Sequence, residues 1–393
     1  MKYVFCKTNL QDWEKLVAKQ LKTEDIYKVL EKENIEGLEI KPFYTLENIT
    51  PVKLPRLEEN MHLVAPYNDY LLEDAYAFLI KEEPLQLQDK AFFYEDSALN
   101  VIAAKDKNNN YFCLRDIFQG IEQGETFNPE AGKELLNTEA KRKLGIDISI
   151  FQNAGASIVQ QLAVALLKIK ELTELYGEEV FEQVIFRVAV GSQYFLEIAK
   201  IRALKILINQ LSKEYNKEAV PYIFAETSLR NKSLNDPENN LIRSTLELAS
   251  AMIGGADAVY ANDYKLSETN SVSEEISFKQ QIVLAYESII NVFEDATSGS
   301  FFVEDATKEI AEKAWELFLE LEKDGGYISN LESGKIQKLV YDQAIKEQNW
   351  LDEGKIKLLG VNLYPALETK KALEELYNES VIKPVRLAER YGV

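Results

Sequence analysis

Histidine occurs once in this chain of 393 residues, cysteine twice and methionine three times. No zinc-ligand spacing can be assembled from that inventory, and no phosphate-cradling glycine loop, GxGxxG fingerprint or GxSxG elbow is found. Cys6 and Cys113 lie far apart in sequence, which argues against a disulfide framework and predicts a reducing, cytoplasmic setting. Long apolar runs are missing too: none approaches the roughly 20 residues needed to span a bilayer. The first residues, MKYVFCKTNLQDWEKL, carry charges where an export signal needs an apolar core. Positive charge is in short supply. With 45 basic against 65 acidic residues the net charge is −20, a field that repels polyphosphate backbones. Neither a membrane nor a nucleic-acid partner is expected.

What the chain does have is 46% hydrophobic content, enough for a substantial core, arranged in a recognisable rhythm. Leu10, Trp13, Leu16, Val17, Leu21, Ile26 and Val29 fall at near-helical spacing with a break near Thr23, which predicts a helical arm. Residues 46–70 hold Pro51, Pro55 and Pro66 and read as an extended connector, since proline forbids continuous helix. A helix is predicted over 72–82. Short strands are predicted at 90–95, 98–104 and 111–117, the last two joined by a hairpin at the Asn-rich KDKNNN. From Ile146 onward β-rich runs at 146–151, 184–190, 220–226 and 257–261 are each followed by a helix of 15 to 20 residues, the signature of βα units. Further helices are predicted at about 305–324, 331–347 and 367–377.

Four such units are half of an eightfold barrel, which needs about 250 residues. Only residues 61–145 are left for the other half. The expected fold is therefore α/β, a (β/α)8 TIM-barrel-like domain over 61–393, incomplete or remodelled in its N-terminal half, with residues 90–117 as an antiparallel portion closing the sheet. Residues 1–60 are expected to form the arm and connector.

Several phrases also resemble one known family. DPENNLIRSTLELASAMIGGADAVYAND (236–263), EEISFKQQIVLAYES (274–288), IDISIFQNAGASIVQQLAVALL (146–167), VAVGSQYFLEIAKIRALKIL (188–207), EGLEIKPFYT (36–45) and GVNLYP (360–365) are similar, in order, to segments of the methylmalonyl-CoA mutase family. The resemblance is to the small, non-catalytic subunit of its heterodimeric bacterial members. It implies a chain that stabilises a large catalytic subunit, with adenosylcobalamin carried by that partner and no cofactor held here. A homodimer in the partner's absence is left open.

The family's substrate-facing Gln and His fall on Asp257 and Tyr260, and its two arginines on Glu275 and Phe278, while Asn262 is retained. A guanidinium grips a carboxylate through a bidentate, charge-assisted fork, and a Glu in its place repels the same group. These substitutions imply no catalytic residue in this chain. Gln152 and Asn262 remain candidates for touching an acyl thioester, against a structural amide at a strand end and an Asx turn. Glu274 and Glu275 point about 100° apart on a helix and are expected to be solvated rather than to form a catalytic or metal-binding pair with Asp257 or Asp295. Glu197 and Arg202 face either a partner chain or ordinary helix salt bridges. His62, outside any DxHxxG cobalt-ligand motif, is expected at the surface. Two other readings stay open: an acyl-CoA-binding module, and an enzyme that uses Asp257, Tyr260 and Glu275 for new chemistry.

Overall fold

The computed structural model describes residues 9–45, 51, 52, 54, 57, 60–85, 89–105, 110–364 and 371–393. The arm opens with α1 (Leu10–Leu21), started by a reciprocal cap between Asn9 and Asp12 and stopped by Lys22 in the left-handed region at φ 53°. A shorter α2 (Ile26–Leu30) follows, so the break near Thr23 is real. Trp13 of α1 stacks on Phe43 at 4.9 Å between centroids. Beyond α2 the arm lies on its own chain.

The barrel strands are β1 (His62–Pro66), β2 (Ala77–Ile80) and β3 (Ala91–Tyr94), then α3 (Asn100–Ala103) and β4 (Tyr111–Cys113). After α4 (Gln119–Glu122) and α5 (Glu130–Leu136) come β5 (Leu144–Asp147), α6 (Ser149–Ala154) and α7 (Ile158–Tyr176). The regular half continues with β6 (Val184–Val190), α8 (Tyr194–Lys213), β7 (Tyr222–Thr227), α9 (Pro237–Ile253), β8 (Ala258–Tyr260) and α10 (Ser271–Ile282). Helices α11 (Phe301–Lys323), α12 (Gly326–Glu332), α13 (Lys335–Asp352) and α14 (Leu373–Leu376) complete the chain. All eight strands form one parallel sheet in the order β4-β3-β2-β1-β8-β7-β6-β5.

The two ends of that order meet. Cys113 N donates to Arg142 O at 2.8 Å, Lys141 N to Tyr111 O at 2.8 Å, and Gly145 N to Arg115 O at 2.9 Å, which closes the barrel at a seam between β4 and the lead into β5. Gly145 makes the approach possible: a Cβ there would stand 2.1 Å from the Leu114 carbonyl oxygen.

The N-terminal half corrects several expectations. Residues 90–117 are not antiparallel; β3 and β4 pair in parallel, so no hairpin joins them. Residues 72–82 hold β2 rather than a helix, and 98–104 form a 3-10 turn running into α3 rather than a strand. The expected remodelling lies in the crossovers. Among the described residues β1 reaches β2 through a single 3-10 turn, Asp69–Leu71, and β2 reaches β3 with no helix at all. Omitting the helices is how four strands fit into so few residues.

Inside the barrel, Val64, Ala77, Ala91, Phe93, Phe112, Ile185, Tyr222, Phe224 and Ala258 form a cluster separate from the main core between sheet and helices. Strands β3 and β7 are not neighbours in the sheet, yet the rings of Phe93 and Phe224 are 5.1 Å apart. They meet across the interior. Phe93 also stacks on Phe112 at 4.7 Å, and Phe112 on Tyr222 at 5.2 Å. The lumen is filled with aromatic side chains.

Candidate functional site at the barrel mouth

Side chains two apart on a strand share a face, so Arg187 points the same way as Ile185 into the barrel, Glu226 the same way as Phe224, and Tyr260 the same way as Ala258. These residues sit at the C-terminal ends of the strands, where barrel enzymes build their sites. Here they meet one another. Arg187 donates to Glu226 through Nε at 3.1 Å and Nη2 at 2.8 Å, is paired with Glu95, and lies 3.7 Å from Asp147. Burial opposes the guanidinium charge, but Glu226, Asp147 and Glu95 together hold its pKa well above the ordinary value. Burial likewise raises the carboxyl of Glu226, and Arg187 pulls it back. The Tyr260 phenol, raised first by burial and then by Glu226, stays protonated. The mouth is closed by an internal ion cluster over an aromatic plug.

The residues aligned with the family's catalytic positions do not converge. Asp257 lies at the opposite, N-terminal end of β8, fully buried, and its carboxylate accepts from Leu57 N at 3.0 Å and Ile223 N at 2.8 Å. It is a clamp between strand and connector. Glu275 is half-buried and pairs with Lys279 one turn along α10, while Phe278 is buried in the main core. Glu274 accepts from Tyr70 Oη at 2.7 Å and Asn68 Nδ2 at 3.2 Å, tying α10 to the β1–β2 crossover.

Gln152 and Asn262 line different cavities. Asn262 donates its amide to Thr227 O at 2.7 Å and its backbone N–H to Thr227 Oγ1 at 3.0 Å, a link between the ends of β7 and β8. Gln152 accepts from Gln161 and borders a cavity of about 500 Å³ beside the mouth. Lys200, Arg202 and Lys205 in the first part of α8 are buried and do not reach a partner surface. Arg202 is fully buried between Asp295 and Glu304, and Lys200 is buried against Glu197 at 2.5 Å and Ala189 O at 2.6 Å.

His62 is not a surface residue either. It opens β1 half-buried, 2.8 Å from Tyr222 Oη and edge-on to Phe93 and Phe112. A ring committed in this way among aromatic side chains does not fit the role of a cobalt ligand. No helix among the described residues is long and apolar enough to cross a membrane, and no group of His, Cys, Asp or Glu among them could hold a metal ion.

Arg187, Glu226, Glu95 and Asp147 are not among the sequence candidates. A signal was present: VIFRVAV and YIFAET each carry one charged residue at an inward-facing register of an otherwise apolar or uncharged strand, where charge is costly unless paired.

The methylmalonyl-CoA mutase family matches residues 137–388. Over 249 residues the chain is 34% identical to the methylmalonyl-CoA mutase small subunit of Porphyromonas gingivalis, covering 60% of this chain and 40% of that protein. It is 30% identical to the methylmalonyl-CoA mutase of Rhizobium meliloti over 57% of this chain and 33% of the relative. The probable methylmalonyl-CoA mutase small subunit of Mycobacterium bovis is 28% identical over 58% and 39%. The matches thus span about 40% or less of these relatives' own lengths. With a match over well more than half of its length, on a parallel eight-stranded barrel, the chain belongs to the methylmalonyl-CoA mutase family.

Proposed function

We propose that this protein is the non-catalytic small subunit of a heterodimeric methylmalonyl-CoA mutase, and that it stabilises a large subunit which carries adenosylcobalamin and performs the isomerisation. The observation that carries this reading is the filled barrel. An acyl-CoA mutase barrel must admit a long thioester arm, whereas this lumen holds Phe93, Phe112, Tyr222 and Phe224 in mutual contact beneath the Arg187 cluster. The substrate-gripping arginines are replaced by Glu275, which pairs with Lys279, and a buried Phe278. Two of the relatives named above are small subunits.

What the chain offers a partner is surface. No residue of helix α1 is fully buried, and Leu16 and Leu21 are exposed, so part of its apolar face is open to another protein. A second apolar area gathers Tyr286 and Val292, after α10, near Tyr76. By contrast residues 35–41 lie on their own chain. Lys41 pairs with Asp305 at 3.2 Å, and Glu39 N donates to Glu309 at 2.9 Å. Within the arm, reach across an interface is therefore assigned to α1.

Co-expression with a large methylmalonyl-CoA mutase chain tests the reading. A stoichiometric complex that raises the large chain's thermal midpoint, and loses that gain when residues 1–22 are removed, is expected. Elution as separate species would refute it. Calorimetry with CoA thioesters on this chain alone should give no heat at millimolar ligand, since the acyl-CoA-binding alternative needs an open lumen.

A further inference from the structure

The crossover from β1 to β2 is too short to cover the helix beside it. Its residues meet only the start of α10, where Tyr70 Oη and Asn68 Nδ2 donate to Glu274 at 2.7 Å and 3.2 Å. Farther along, Phe278, Ile282 and Tyr286 follow at spacings of four and form one ridge. In the regular half of the barrel adjacent helices pack side by side, α7 on α8 and α8 on α9. Helix α10 has such a neighbour on one side only. Gln280, on the far side of α10 from the ridge, accepts from Thr245 Oγ1 of α9 at 2.9 Å. Among the described residues the ridge itself borders a groove of about 610 Å³, with Asp74 and Tyr76 at the entry to β2 and Val292 among its other lining residues.

The groove is apolar and its rim is acidic. Tyr76 and Tyr286 are each 68% exposed, and Val283, Ile289, Val292 and Phe293 are exposed in the segment that runs on from α10. Single apolar residues on a surface need no explanation, but six gathered around one groove mark a place where another surface fits. The backbone is shaped to present them. Val283–Glu287 form a π-helical turn, and Ile289, a β-branched residue, is held in the left-handed region at φ 56°, a conformation that costs energy. Asp74 lines the groove, and Glu73 and Glu287 are exposed next to lining residues. Of the cations nearby, Lys279 pairs with Glu275 and offsets Asp74 in part, while Lys90 donates to Leu72 O at 3.0 Å and Ala75 O at 2.7 Å.

We propose that this groove docks an amphipathic helix of the large subunit, one with an apolar ridge against Tyr76 and Tyr286 and with lysine or arginine on its flanks. Naming the large subunit as its source rests on the reading given under Proposed function. A helix matches the place that the short crossover leaves, because it lies along α10 as α9 does on the other side. Basic flanks match the rim. A second copy of this chain brings the same acidic rim and a net charge of −20, and like charges brought together oppose that pairing.

Titration of the full-length chain with a large methylmalonyl-CoA mutase chain, followed by sedimentation velocity, tests it. Tyr286→Glu with Val292→Glu is expected to weaken the complex about 100-fold, as loss of central anchors does, and the milder pair Tyr286→Ala with Val292→Ala about tenfold. All these side chains are exposed, so the thermal midpoint of the chain alone should stay unchanged. Asp74→Lys with Glu287→Lys should weaken binding roughly tenfold and flatten its dependence on salt. A photo-crosslinker placed at Tyr286 should join a segment of the large chain with apolar residues at helical spacing and lysine or arginine beside them. The proposal is overturned if the complex forms with undiminished affinity in the Tyr286 and Val292 variants, if the crosslink falls on an acidic or non-helical segment, or if this chain alone forms a dimer that the same variants break. In each of those cases a complex that still assembles leaves the small-subunit reading standing, whereas failure of any complex to form overturns both.

Discussion

Replacing Arg187 by Met keeps an unbranched side chain of similar length in the barrel mouth and deletes only the charge and its donors. What remains is Glu226, Asp147 and Glu95 facing each other over aromatic rings, with the Glu226 side chain 5% exposed. Breaking a buried pair by removing one partner costs about 3–5 kcal/mol. Water can reach Glu95, whose side chain is 48% exposed, so the expected loss is at the lower end, about 3 kcal/mol at pH 7. Equilibrium urea denaturation of both proteins reads it as a shift in midpoint. Two further measurements separate this cause from simple loss of packing. The deficit should narrow as pH falls through the Glu226 pKa, which lies above the ordinary carboxylate value, because a neutral acid needs no counter-ion. Adding Glu226→Gln to Arg187→Met should recover at least ~1 kcal/mol, a coupling that a double-mutant cycle isolates. A single-variant cost below about 1 kcal/mol, or strictly additive effects, would refute the claim that the mouth is held by ionic closure.

Other perturbations probe the scaffold. Gly145→Ala drives a methyl group into the Leu114 carbonyl at the barrel seam, and a loss of at least ~3 kcal/mol in urea denaturation is expected, because two backbones must separate. Lys168→Met strips the ammonium from Asp116 at 2.7 Å and Glu122 at 2.5 Å, and the thermal midpoint should fall sharply at pH 7.5. That drop should be smaller at pH 5, where Glu122, raised by burial to about 7 even beside Lys168, is protonated in the folded state. Glu36 titrates at about 7 when the arm is docked and near 4.5 when free, so docking is unpenalised below pH 4.5 and weakens as pH rises through 7. Hydrogen exchange at residues 33–36, corrected for intrinsic rates, should show less protection at pH 8 than at pH 5.5, and Glu36→Gln should remove the difference.

The regular half of the barrel was legible because each βα unit gave two signals at once. VIFRVAV and YIFAET are too short and β-rich for helix, and the segments after them run for four turns or more with helical spacing. The remodelled half offered no such contrast. LEDAYAFLIKE mixes apolar and charged residues at a spacing that suits a helix, but β2 occupies Ala77–Ile80, its backbone paired on both edges by the parallel neighbours β1 and β3 and its side chains largely buried on both faces. Parallel pairing of β3 and β4 was invisible for a related reason: a crossover of one or two turns looks like a turn, and a turn suggests a hairpin. At the site, Gln152 lies within α6 rather than at the end of a strand, and the ion cluster joins residues from four separated segments that only the closed barrel brings together.

The uneven crossovers give the barrel a thick flank and a thin one. Strands β5–β8 are followed by helices of three to six turns, the last of which, α10, also packs on β1, whereas among the described residues β2 and β3 are followed only by loops and short turns. Amide protons of the thin flank should therefore exchange through small, local openings while those of β6 and β7 wait for larger ones. Proteolytic nicking, seeded truncation and thermal fraying would all start on that side, and a second protein lying over it would stiffen the whole molecule by guarding its weakest wall.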